Sequence, residues 1–224
     1  MIQPRLEQID RAEVLRYLSY RGGEIPERIT DDITRCETLL LKTARPRAVW
    51  KLFDLLPDGS LQGSAYRPSG RDIRVLLADS EQVILLAATL GAEAEGLLRR
   101  AEKRSMSDAV LLDAAGSAAI ESVCDNLCAD LAAELAPLYL TERFSPGYGD
   151  MPLGDQEPFF RALDVTRRIG VTLTGTNLMV PQKSVTALLG VSRRPQPRRG
   201  RGCGGCPRAG NCAFRKDGKS CGVF

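Results

Sequence analysis

Arg143-Phe144-Ser145-Pro146-Gly147-Tyr148-Gly149-Asp150 breaks a chain otherwise rich in helix and strand signals. Pro-Gly forces a turn, and Gly147 and Gly149 remove side chains where a ligand would approach the backbone. Arg143, just before the turn, is a planar fork that binds a carboxylate bidentately. Tyr148 adds a flat face and a hydroxyl. By its chemistry alone the segment is either a structural turn or a ligand site.

Downstream, the spacing predicts a helix over 156–168, then extended segments near Val171-Thr174 and Ser184-Val191. Upstream, residues 107–136 form one long helical stripe through Ile120, Val123, Cys124, Leu127, Cys128, Leu131 and Leu135, with a break or bend expected near Gly116. Further helices are expected over 10–20, behind an Asp10 cap, over 26–42, and over 92–103. A short one carrying Ile73, Leu76 and Leu77 would be capped by Ser69. Strands are expected over 48–53 and 82–89. Helices and strands mix without strict βαβ alternation, which predicts an α+β fold.

Of 224 residues, 31 are basic and 28 acidic, a net +3, but the charge is unevenly placed. Residues 193–219 hold nine Lys or Arg against Asp217 alone, a balance of +8, so the remainder sums to −5. The division expected is an α+β domain over 1–192 and a basic linker with a cysteine-rich tail over 193–224. Four of the seven cysteines lie in that tail, as Cys203, Cys206, Cys212 and Cys221, spaced C-x2-C-x5-C-x8-C. Four thiolates suit tetrahedral zinc or an iron–sulfur cluster, and the neighbouring Arg and Lys residues favour the thiolate form. Cys124 and Cys128 share a helix face, but their apolar stripe and the lack of a third ligand favour packing, as for Cys36.

The chain contains no histidine. Ser-His-Asp and Cys-His triads are therefore excluded, as are histidine metal sites and a histidine proton shuttle. The first residues, Met1-Ile2-Gln3-Pro4-Arg5-Leu6-Glu7, do not read as a signal peptide. The longest apolar run, Val83 to Ala92, is about half of what a membrane span needs. A soluble, cytoplasmic protein is expected, and the acidic domain offers no strong field for nucleic acid.

Arg143-Phe-Ser-Pro-Gly-Tyr148 resembles the Arg-Pro-Ala-Pro-Gly-Tyr signature of the activation (reactivation) domain of cobalamin-dependent methionine synthase. The resemblance continues through Ile169-Gly170-Val171-Thr172-Leu173-Thr174 and Asn177-Leu178-Met179-Val180-Pro181-Gln182-Lys183-Ser184-Val185-Thr186. Upstream, Ala87-Ala88-Thr89-Leu90-Gly91 and the helix with Glu121 and Cys124-Asp125 look like stand-alone members of that superfamily. Gly149-Asp150 departs from the family pattern, and the cysteine tail is absent from the classical domain.

The resemblance implies a C-shaped α+β fold with an antiparallel sheet and flanking helices. It also implies binding of S-adenosylmethionine, used for reductive methylation of cob(II)alamin held by a corrinoid-binding methyltransferase partner. Arg143 would hold the donor's carboxylate. Ser145 and Gly147 would give backbone contacts, Tyr148 would line the pocket, and Pro181 and Ser184 would frame the site near the corrin. The acidic residue for the donor's amino group has no position assigned by the resemblance. The one-electron requirement is met either by a cluster in the tail or by an electron donor protein. Two rival readings are a non-enzymatic zinc-stabilised scaffold and a donor-binding domain whose tail is a nucleic-acid knuckle.

Overall fold

The structure is a computed structural model describing residues 2–20 and 22–195. Cys203, Cys206, Cys212 and Cys221 lie outside the described residues, as do residues 196–202 of the basic linker. Helix α1 (Arg11–Tyr17) starts at Asp10, whose carboxylate accepts from the Ala12 and Glu13 amides. Helix α2 (Glu27–Thr43) buries Ile33, Cys36 and Leu40 and leaves Ile29 and Leu39 exposed. Strand β1 (Arg47–Asp54) and helix α3 (Arg71–Leu76) lead to β2 (Gln82–Thr89). Helices α4 (Ala92–Arg104) and α5 (Met106–Glu134) follow, then the short strand β3 (Tyr139–Leu140). Helices α6 (Gln156–Leu163) and α7 (Val165–Ile169) precede β4 (Thr172–Leu173), β5 (Met179–Val180) and β6 (Ser184–Ser192).

The main sheet has the order β1-β2-β6-β3 and is antiparallel throughout, while β4 and β5 form a separate hairpin. The fold is α+β with helices on both faces of the sheet. Side chains of a strand alternate between faces, and the core divides accordingly. Ile84, Leu86, Ala88, Leu189 and Val191 pack with α1, α2, α4 and α5. Val83, Leu85, Ala87 and Leu188 pack with α3, α6 and α7 on the opposite side. Strand β2 carries both clusters, which is why it reads as an unbroken apolar run.

Three local expectations are corrected. Helix α5 runs unbroken through Gly116. A Cβ at Gly116 would sit 3.0 Å from Lys183 Cε, so the glycine admits a lysine stem instead of ending the helix. The helix expected over 156–168 is two helices, split at Asp164, which adopts a left-handed conformation with φ 54°. Ser69 does not cap α3. Gly70 holds the cap position, and the carboxylate of Asp150, distant in sequence, accepts from the Arg71 and Asp72 amides at 2.6 and 3.0 Å. The Ser69 amide and hydroxyl instead donate to Asp155. Among the described residues no helix is long and apolar enough to cross a membrane.

Candidate functional site

The site begins where a short edge segment leaves β6. Tyr139 and Leu140 pair with Ser192 and Val191, the Thr141 amide donates to Gly190, and Phe144 exchanges both backbone bonds with Leu188. Beyond Phe144 the chain turns away. The Tyr148 amide donates to Ser145 O at 3.1 Å, and the Gly147 amide donates to Met151 O at 3.0 Å. Gly147 sits at φ +93°, which a residue with a Cβ adopts only under strain, and its added Cβ would meet Leu153 at 3.2 Å. With the edge segment gone, Ser184, Val185 and Thr186 form one wall of a cleft of about 1030 Å³. The other walls are α5, the 141–148 segment and the Asn177–Met179 part of the β4–β5 hairpin.

Among the described residues Arg143 is the sole basic residue lining this cleft, against Glu121, Asp125 and Glu142. Its side chain is only 18% exposed, and it is engaged by α5. Nη2 donates to Glu121 Oε2 at 2.6 Å, and Nη1 donates to Asp125 Oδ1 at 2.7 Å and more weakly to Cys128 Sγ at 3.8 Å. Guanidinium has five N–H donors, so Nε–H and the second Nη2–H keep no partner among the described residues. Burial disfavours the Arg143 cation, yet its pKa moves upward because, at the high pH where it would titrate, the Cys124 and Cys128 thiolates and the Asp125 and Glu121 carboxylates all favour the charged form. Burial itself pushes the Cys124 thiol up to about 12 and raises Cys128 too. Both thiols are therefore neutral near pH 7, and the two carboxylates supply the charge that holds the arginine.

Of the residues expected at a donor site, Arg143, Ser145, Tyr148 and Ser184 line the one cleft. Gly147 shapes the turn beneath it without lining it. Pro181 is buried outside the lining, and its carbonyl accepts from the Ser184 hydroxyl at 2.7 Å. Ser184 Oγ also lies 2.8 Å from Thr89 Oγ1, so that hydroxyl serves the wall. Tyr148 and Leu178 are among the most exposed large apolar side chains, at 69% and 58%, and form an apolar rim at the mouth.

Sequence reasoning left Glu121 and Asp125 without a role and passed over Gln156 and Thr186. Glu121, Asp125 and Cys128 recur at helical spacing on α5, a polar notch beside the apolar stripe, and that was the available signal. Gln156 is 3% exposed and accepts from the Thr186 hydroxyl at 2.9 Å. That pair joins residues 30 apart, with no local pattern to announce it. Cys36 and Cys124 are core residues, and no cluster of three potential metal ligands occurs among the described residues.

No family model matches the chain, and no curated protein matches it either. Among solved structures it is similar to the MetH reactivation domain bound to AdoHcy, with a TM-score of 0.59 and 16% sequence identity. The match covers 84% of this chain and 75% of that one. The likeness shows a shared fold.

Proposed function

We propose that this chain binds S-adenosylmethionine in the β6-edge cleft and presents its methyl group to a corrinoid on a partner protein. It would then be a stand-alone reactivation subunit for a cobalamin-dependent methyltransferase of the methionine synthase type. The observation that carries this reading is the charge of the cleft, three acidic residues and one half-paired guanidinium in its lining, within a fold shared with a domain that binds AdoHcy. S-adenosylmethionine carries a carboxylate, an ammonium and a sulfonium. One negative group facing Arg143 and two positive groups facing Glu121, Asp125 and Glu142 match that lining. The apolar rim of Tyr148 and Leu178 would meet the flat face of a corrin.

Reductive methylation adds one electron to cob(II)alamin. The resulting nucleophilic cobalt takes the methyl from sulfur and releases S-adenosylhomocysteine. The electron would come from an iron–sulfur cluster held by Cys203, Cys206, Cys212 and Cys221, or from a separate electron donor protein. Residues 1–192 would form the donor-binding domain and residues 193–224 the metal-binding tail. A cytoplasmic location is part of the same proposal.

Calorimetric titration with S-adenosylmethionine tests the reading. Arg143→Ala should weaken binding at least about tenfold, the scale of a charge-assisted hydrogen-bond pair. No heat with the wild type, or undiminished affinity in the variant, overturns it. The rival reading, a zinc-stabilised scaffold, draws on the ion pairs Arg143 already makes without ligand. Anaerobically purified protein that is colourless and carries zinc supports the scaffold's metal, whereas a brown protein with iron and sulfide supports the relay.

A further inference from the structure

The main sheet ends on one side at β1, and part of that side is open. The Leu55 amide donates to Glu81 O, so by alternation the odd-numbered residues of β1 are those bonded to β2. Ala48, Trp50 and Leu52 turn their N–H and C=O groups to the outer edge, where these groups have no partner among the described residues. The open stretch is bounded at both ends. The Gln62 amide donates to Asp54 O at 3.0 Å beyond one end, and Pro46 precedes the other. Between them there is room for an extended segment of about six residues.

The two faces of β1 beside this edge differ in chemistry. Ala48, Trp50 and Leu52 lie on one face, half-buried against the cluster that β2 shares with α1, α2, α4 and α5. On the other face Val49 and Phe53 are buried, while Arg47 and Lys51 are exposed. Lys51 Nζ stands 4.6 Å from the centre of the Phe53 ring. Neither cation is within ion-pair distance of a carboxylate among the described residues. A strand added here sets its own side chains alternately on these two faces, directly beside those of β1.

We propose that the outer edge of β1 docks an extended segment of a partner protein in which apolar residues alternate with acidic ones. Its backbone completes the ladder on Ala48, Trp50 and Leu52. Its apolar side chains extend the layer that those three residues begin, and its carboxylates stand opposite Arg47 and Lys51. Charge decides among the occupants. Residues 193–219 carry a balance of +8, so the chain's own tail is repelled. A second copy paired edge to edge brings two Arg47 and two Lys51 side chains to a single face. An acidic segment gains where both of these lose. The edge lies across the sheet from the β6 cleft, with β2 between the two strands, so the proposal is independent of what that cleft binds.

Trp50 is the chain's single tryptophan, and its emission reports on this edge. The probes are two capped hexapeptides, Val-Glu-Val-Thr-Val-Glu and Val-Lys-Val-Thr-Val-Lys, titrated into the full-length chain. Laid antiparallel with its third residue beside Trp50, the first sets its glutamates opposite Lys51 and Arg47. It should shift the Trp50 emission saturably and bind at least about tenfold more tightly than the basic peptide. The double variant Arg47→Glu/Lys51→Glu should invert that order. Ala48→Pro removes an outward N–H without breaking a bond to β2 and should abolish the shift. No saturable response to the acidic peptide overturns the proposal, as does equal affinity of the wild type for the two peptides. Neither of these outcomes depends on a variant folding. A response that survives in folded Ala48→Pro overturns strand addition at this edge. A wild-type chain that runs as a dimer and becomes monomeric with Ala48→Pro places a second copy on the edge, and overturns the proposal too.

Discussion

Asp150 caps α3 from 78 residues away, and its titration should be visible in stability. Bonds from the Asp72 and Arg71 amides hold its carboxyl below the ordinary carboxylate pKa. A depressed native pKa means the contribution is fully present above the unfolded value, about 3.9, and is lost as pH falls through the native one. Asp150→Asn should therefore melt below the wild type at pH 7, with the gap closing as pH drops under about 4. A gap constant from pH 7 to pH 2 would show that the charge is irrelevant. The same residue illustrates what the sequence withheld. Gly149-Asp150 marks itself as a departure from a family motif, but its role depends on Gly70, where a Cβ would meet Asp150 Oδ1 at 2.7 Å. Arg143 was legible as a carboxylate fork. Its capture by Glu121 and Asp125 was not, because it depends on how α5 packs against the edge segment.

Among the elements, β2 was legible to the residue, since a strand buried on both faces leaves an apolar run with sharp ends. Strands β3, β4 and β5 have two residues each, too few to show a period, and only their partners define them. Helix α5 offers a test of the Gly116 correction. Lys183 lies over that glycine with its ammonium held by Asp113 at 2.7 Å and Ser117 at 2.8 Å. Gly116→Ala gains about 1 kcal/mol of helix propensity but presses on a stem anchored at its far end. In an otherwise wild-type chain the gain should be cancelled or reversed. With Lys183→Ala the same substitution should stabilise by the full amount of about 1 kcal/mol. Additive effects in a double-mutant cycle by urea unfolding would sink the packing account.

At the scale of the whole molecule, both hydrophobic clusters lie between Val14 and Val191. Removal of residues 196–224 should leave the melting temperature and the S-adenosylmethionine affinity within error of the full chain, while metal content falls to zero. Loss of ligand binding on truncation would show that the tail completes the site. The walls of the cleft come from opposite sides of the sheet, with Glu121 and Asp125 on α5 above one cluster and Gln156 on α6 above the other. A ligand seated there, as proposed, would act as a rivet through the two layers. At a hundred times its dissociation constant it should stabilise the fold by about 2.7 kcal/mol, and amide exchange should slow on α5 and α6 together. On the proposed reading, methyl transfer would leave the adenosyl and carboxylate anchors on the departing product, so the layers would stay pinned through the reaction and be freed only when that product leaves.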